Sequence, residues 1–214
     1  MVAKANLMQA NGKDVVSLCT GEPDYDTPQW IKDAATQAMA NGQTKYTAIG
    51  GTKELKEAVA KKLARDNGLK YNLEEIIVST GGKQVIFNAF MATINKGDEV
   101  IIPAPYWVSY PDIVSLFEGT PVFINCTIEN HFKLRPEDLE KSITPKTKWL
   151  ILNSPSNPTG CVYSKEELLA IATILQKYPH VNILTDDIYE YLTFDGAEFV
   201  NLLNVARSEE RRVG

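Results

Sequence analysis

The sequence predicts an α/β protein with a mostly parallel, buried sheet sandwiched by helices. Three observations carry this. Short β-branched apolar runs alternate along the chain with stretches whose apolar residues recur at helical spacing. Strands that alternate with helices pair in parallel and are covered on both faces. The 214 residues, 44% of them apolar, suffice for a substantial core without disulfide or metal staples.

The elements follow in order. Thr27-Pro28 reads as a cap followed by proline at the first helical position, opening a helix that runs to about Ala40. Leu55, Ala58, Val59 and Leu63 fall on one helical face, and Gly68 lies just past its end. Glu75–Ser79 is a first short β-branched run, followed by Gly81-Gly82 and a helix over Lys83–Ile94. Asp98–Pro103 is a second run, with a helix expected from Trp107 to Phe117. Pro121–Asn125 is a third, followed by a short helix over Pro136–Ile143. Lys148–Asn153 is a fourth, and Ser164-Lys165-Glu166-Glu167 after it fits a capping box for a helix carrying Leu168, Leu169, Ala172 and Leu175. Val181–Thr185 is the fifth run. No internal repeat or low-complexity linker interrupts the pattern.

Composition excludes several kinds of chemistry. Lys plus Arg is 22 and Asp plus Glu is 27, a net charge of −5 without basic runs, so nucleic acid is not an expected partner. No apolar run has the length of a membrane span, and Met1–Ala10 has no apolar signal core, so the expectation is a cytoplasmic protein without membrane partners. Cys19, Cys126 and Cys161 are widely spaced, which argues against a disulfide framework or a thiolate zinc site. His131 and His180 are the only histidines, too few for a three-His metal site, and each is expected at a surface or in a loop.

In parallel α/β sheets, ligands bind off the carboxyl ends of the strands. The residues just after each run are therefore the candidates. Gly81-Gly82-Lys83 joins a strand to a helix: its glycines and helix start suit a phosphate, or form a tight β–α turn. Asn153-Ser154-Pro155-Ser156-Asn157-Pro158-Thr159-Gly160 is either a rigid turn or a stiff loop presenting an amide to a ligand. Asp186-Asp187-Ile188-Tyr189 places a carboxylate and a phenol at one strand end, or simply caps a helix. Trp107 suits stacking on a planar ring as well as an ordinary core position, and Tyr46 lies in a polar loop.

Taken together and in this order, these motifs resemble the fold-type-I pyridoxal-phosphate (PLP) aminotransferases of class I/II, the aspartate aminotransferase class. The resemblance runs from Val15-Val16-Ser17-Leu18-Cys19-Thr20-Gly21-Glu22-Pro23-Asp24 to about Tyr191. It implies the amino-terminal half of such an enzyme, with the PLP-binding large domain incomplete. Residues 1–27 would belong to the small domain or arm, residues 28–206 to the truncated large domain. By the same resemblance, Gly81, Gly82 and Lys83 match the phosphate cup. Trp107 matches the aromatic stacked on the pyridine ring, and Asp186 the carboxylate paired with the pyridine nitrogen. Asn157 matches the amide that bonds the ring hydroxyl and the substrate α-carboxylate, and Tyr189 the phenol on the ring hydroxyl. Tyr46 matches a tyrosine that reaches the phosphate of a second subunit's cofactor, so a homodimer is implied. Gly21 matches a glycine lining the substrate site. Lys83, Trp107, Asn157 and Gly21 are the substrate-binding candidates, Lys83 toward a distal carboxylate. The implied reaction is amino transfer between an amino acid, aspartate or glutamate, and a 2-oxo acid. Two alternatives within the resemblance are a transcriptional regulator with an aminotransferase-like effector domain and a PLP lyase or synthase.

One family feature has no counterpart. The Schiff-base lysine lies in a Ser-Lys-x-x motif beyond the Asp-x-x-Tyr strand, and here no lysine follows Lys177. The expectation is a fragment without a catalytic lysine and without turnover of its own. Lys83 is no substitute, because it would sit at the phosphate end. The family's α-carboxylate arginine also lacks a match. Arg65 and Arg135 lie at or before helices, and Arg207, Arg211 and Arg212 crowd into the last eight residues. Those residues, 207–214, read back into AGA TCG GAA GAG CGT CGT GTA GGG, which resembles a sequencing adapter. They are expected to be a foreign tail, with a polar carboxyl terminus as the plain alternative.

Overall fold

The computed structural model describes residues 1–17, 21, 23 and 25–206. Leu18–Thr20, Glu22, Asp24 and the expected tail at 207–214 lie outside the described residues. The chain divides into two compact units, Met1–Thr47 and Ala48–Gly214. No helix among the described residues is long and apolar enough to cross a membrane.

The first unit holds α1 (Val2–Ala10) and α2 (Gln29–Ala40). Sequence periodicity did not point to α1, which buries only Ala5. Pro28 is not the first helical residue, as expected, but the cap. Its ψ of 140° is extended, and its carbonyl accepts from the amides of Ile31 (3.0 Å) and Lys32 (3.3 Å). Gly21 and Tyr46 both belong to this unit and both are exposed.

The second unit is a three-layer sandwich. It begins with α3 (Lys53–Asp66), capped by the Thr52 side chain on the Leu55 amide, and α4 (Gly82–Thr93). There follow β1 (Glu99–Ala104), α5 (Ser109–Leu116), β2 (Thr120–Asn125), α6 (Pro136–Ser142) and β3 (Thr147–Asn153). The last elements are α7 (Lys165–Leu175), β4 (Asn182–Asp186) and α8 (Leu202–Ala206). The sheet order is β2-β1-β3-β4, and every pairing is parallel. The expected capping box forms: the Ser164 hydroxyl accepts from the Glu167 amide (3.2 Å), and Glu167 Oε2 accepts from the Ser164 amide (2.7 Å). The α5 helix starts two residues later than expected, because Trp107 contributes only its carbonyl to the first turn, accepting from the Tyr110 amide (3.1 Å). His131 and His180 are both exposed.

Period-two alternation decides which helices cover which face. Ile101, Leu150, Leu152 and Ile183 point into one core with Leu139, Leu168, Ile171 and Leu175. Their neighbours Val100, Ile102, Trp149, Ile151 and Leu184 point into the other with Ile86, Phe90, Ile113 and Val114. So α6 and α7 lie on one side, α4 and α5 on the other. Fully burying an aliphatic side chain stabilises by roughly 1.5–3 kcal/mol, and both faces are filled this way. Among the described residues, no buried side-chain nitrogen or oxygen lacks a hydrogen-bond partner. Trp149 Nε1 donates to Thr93 Oγ1 (3.1 Å), and the buried Leu134 amide donates to Tyr163 Oη (2.7 Å).

One expected strand does not join the sheet. Leu73–Glu75 is a short 3-10 turn, fastened by Glu75 Oε2 accepting from the Asn72 amide (2.7 Å). Ile76 beyond it is extended (φ −115°, ψ 125°), as a β-branched run should be, but among the described residues the sheet holds only the four strands above. Ladder pairing, which β-propensity cannot supply alone, is what makes an extended run a strand. One backbone bond of this stretch runs from the Val78 amide to the Gly50 carbonyl (3.0 Å).

Candidate active site

Because the four strands are parallel, their carboxyl ends share one edge. Asn153 and Asp186 are the last residues of β3 and β4 and stand directly opposite each other in register. Parity places both on the α4/α5 side, since Asn153 follows Ile151 and Asp186 follows Leu184 by two residues. Asn153 Nδ2 donates to the Asp186 carbonyl (2.6 Å), and Asn153 Oδ1 accepts from the Asn157 amide (2.7 Å). One side chain thus ties the Pro-rich loop to the β4 end. The stiffness expected of that loop has a further source. The Gly160 amide donates back to the Ser156 carbonyl (2.7 Å), and the Ser156 amide to the Cys161 carbonyl (3.0 Å).

The Asp186 carboxylate is oriented by α5. Tyr110 Oη donates to Asp186 Oδ2 at 2.7 Å. Burial, and next the negative charge of Asp186, push the Tyr110 phenol far above its ordinary range. Tyr110 therefore keeps its proton and serves as a fixed donor that holds one carboxylate oxygen. Tyr189 follows three residues after Asp186, in the turn beyond β4.

Trp107 meets Tyr110 edge-on, with ring centroids 5.4 Å apart. The Lys83 ammonium sits 4.9 Å from the Trp107 ring centroid, a cation–π contact. Lys83 is the second residue of α4 and is exposed. Gly81 caps that helix with φ of +89°, a left-handed value glycine reaches without strain, and a Cβ there would meet nothing within 4 Å. The next amides, those of Gly82 and Lys83, fall in the first turn, where no helix carbonyl can accept from them.

A continuous path of contacts therefore runs from Lys83 through Trp107, Tyr110, Asp186 and Asn153 to Asn157. The structure brings these together at the sheet edge with Tyr189. A small cavity of about 20 Å³ lies under the Asn157 loop, lined by Tyr106, Tyr110, Asn153 and Ser156 among others. Of the candidates, only Asn157 lines it. Tyr110 and Asn153 are the residues sequence reasoning did not assign. Asn153 opens a loop it picked out and Tyr110 lies in an expected helix, but their work depends on contacts 33 and 76 residues away in the chain.

A family model described as Aminotransferase class I and II matches residues 13–213. The "Probable aspartate/prephenate aminotransferase" of Rickettsia bellii is 59% identical over 213 residues, which is 100% of this chain and 53% of that protein. The crystal structure of the aspartate aminotransferase from Rhizobium meliloti matches with a TM-score of 0.91 and 50% identity, over 95% of this chain and 51% of that one. The Thermus thermophilus aspartate aminotransferase with maleate matches with a TM-score of 0.91 and 46% identity, over 96% and 53%. The chain spans about half the length of the curated relatives it matches. A match reaching from residue 13 to residue 213 takes in both the sheet and every residue at its carboxyl edge, and the chain belongs to the class I and II aminotransferases.

Proposed function

We propose that these residues form the cofactor end of a pyridoxal-phosphate-dependent aminotransferase that moves an amino group between aspartate or glutamate and a 2-oxo acid. The observation that carries the reading is the Tyr110–Asp186 pair. It puts a carboxylate with one oxygen already held at the strand edge, beside a flanking indole and a glycine-initiated helix. That set fits a flat, cationic heterocycle bearing a phosphate. When bound, pyridoxal phosphate supplies an electron sink that acidifies the Cα–H of an attached amino acid.

Each side chain has a separate task. Asp186 holds a proton at the pyridine nitrogen by charge attraction, and Tyr110 keeps that carboxylate aimed. Trp107 covers one face of the ring. The Gly82 and Lys83 amides, with the helix start behind them, take phosphate oxygens. The Asn157 side-chain amide and the Tyr189 phenol donate to the ring oxygen, and Asn157 also meets the substrate α-carboxylate. Gly21, in the first unit, is the substrate-lining candidate that the resemblance implies. Lys83 reaches the distal carboxylate of a dicarboxylic substrate. The naming of the Rickettsia bellii relative for aspartate and prephenate and the maleate of the Thermus structure both support dicarboxylic substrates. Tyr46, fully exposed in the first unit, serves the cofactor phosphate of a second copy in a homodimer. With no lysine beyond Lys177, this chain alone does not turn over substrate.

The test is a full-length reading frame carrying these residues, loaded with pyridoxal phosphate. Its absorbance should respond to aspartate, and it should transfer the amino group to a 2-oxo acid. Asp186→Ala should lower kcat/KM by on the order of 100-fold or more. Absorbance indifferent to every amino acid, or an Asp186→Ala variant as active as the parent, would overturn the reading.

A further inference from the structure

The turn that carries Tyr189 is gripped from behind by a charged cluster that none of the roles above uses. Lys62, on α3, pairs with Glu190, and their side chains are only 28% and 14% exposed. Lys62 Nζ also donates to Asn67 Oδ1 (2.8 Å), and Asn67 Nδ2 donates to Glu190 Oε2 (2.8 Å). Both carboxylate oxygens of Glu190 are thus taken, one by an ammonium and one by an amide. Asn67 is itself buried, and its carbonyl accepts from Asn204 Nδ2 at 2.8 Å. The residue after Glu190 is anchored to the same helix. Tyr191 lays its ring 5.2 Å from the Lys62 ammonium, and its hydroxyl donates to Asp66, which Arg65 holds by two further hydrogen bonds.

Tyr189 lies within a turn fixed at Asp187 and at Glu190. On one side Asp187 accepts from Asn201 Nδ2 (2.6 Å). On the other, Glu190 is locked to α3, and its own amide donates to the Asp187 carbonyl (3.0 Å). The Tyr189 carbonyl accepts from the Leu192 amide (2.7 Å), which closes the turn. A largely buried ion pair is a poor source of net stability, because desolvating two charges offsets their attraction. It is a good way to specify one backbone geometry, since every alternative leaves a charge unpaired.

We propose that Glu190, seated by Lys62 and Asn67, is a positioning residue that sets where the Tyr189 phenol points at the candidate site. This rests on the reading of Tyr189 as a donor to the cofactor's ring oxygen. Glu190 touches neither cofactor nor substrate; it acts through the turn.

The experiment follows the absorbance of the full-length holoprotein against pH, in the parent and in Tyr189→Phe, Glu190→Ala, Glu190→Gln and the Tyr189→Phe/Glu190→Ala pair. A lost hydrogen bond to a titrating group moves a midpoint by about one pH unit. Tyr189→Phe should show that displacement. Glu190→Ala should shift the midpoint in the same direction, and the double variant no further than Tyr189→Phe alone. Glu190→Gln keeps an acceptor for Asn67 and removes the charge. It should fall between the parent and Glu190→Ala, and it carries the test if Glu190→Ala does not fold. A Glu190 variant that melts earlier but titrates like the parent overturns the proposal, since its role would then be structural only. Additive shifts overturn it as well. A Tyr189→Phe variant that titrates like the parent removes the Tyr189 assignment first, and the role of Glu190 falls with it.

Discussion

Replacing Asp187 with asparagine should flatten the pH dependence of stability between about pH 4 and 7. Burial pushes the Asp187 carboxyl up to about 7 from an ordinary 3.8, and the like charges of Asp186 and Glu190 add to it. Hydrogen bonds from Asn201 and Thr185 work the other way and do not prevail. In the unfolded chain the group ionises near its ordinary value. Across the interval between the two values the folded state holds a proton that the unfolded state has released. The stability contributed by this group is therefore full below about pH 4 and is lost as pH rises through about 7. A difference of roughly three pH units corresponds to about 4 kcal/mol. Asparagine keeps an oxygen for Asn201 Nδ2 and has nothing to titrate. Urea unfolding of this chain at a series of pH values measures the effect. The parent should lose about 4 kcal/mol more than Asp187→Asn between pH 4 and pH 8, and the variant should be the more stable of the two at pH 8. Parallel stability curves for parent and variant would refute the argument.

Other substitutions test other links. Lys83→Ala in the full-length enzyme should lower kcat/KM for aspartate by on the order of 10–100-fold and leave alanine and an aromatic amino acid nearly unaffected; equal losses on all three would reject selection by charge. Tyr163→Phe leaves the buried Leu134 amide without its acceptor and should cost about 1–3 kcal/mol in thermal or urea unfolding. Gly51→Ala puts a Cβ 2.8 Å from Val78 Cγ2 at a φ of +101°, and a lowered melting temperature is expected, an unchanged one refuting the clash. Reamplifying the locus should yield a sequence that leaves the Arg207–Gly214 codons after Ala206; recovery of the same eight codons would make the tail natural.

Much of the fold was legible because its signal is local and periodic. Each strand in the sheet was flanked by residues whose type announced a turn, and the Ser164–Glu167 box marked a helix start by its own chemistry. The Glu75–Ser79 run shows where that legibility stops. Its β-branched residues make it extended, yet pairing depends on which backbone lies alongside, and no residue within the run encodes that. Among the candidates, Asp186 and Asn157 were picked out by their place after apolar runs, and both stand at the carboxyl edge of the sheet. The supports of the site were not. Tyr110 reads as one more aromatic until α5 packs on the sheet, and Glu190 reads as a surface charge until Lys62 arrives from 128 residues away.

The tandem Asp186-Asp187 at the end of β4 has an evolutionary consequence. Neighbouring strand residues point to opposite faces, so a one-residue deletion upstream in β4 would turn Asp186 away from the α4/α5 side. The residue sliding into its slot would be Asp187, another carboxylate, opposite Asn153 and within the span of Tyr110. A one-residue insertion would instead bring in Thr185 and leave the slot without a charge. The duplicated acid thus makes this strand end tolerant of length change in one direction only, and shortened variants of β4 are the ones a search for surviving sequences should recover.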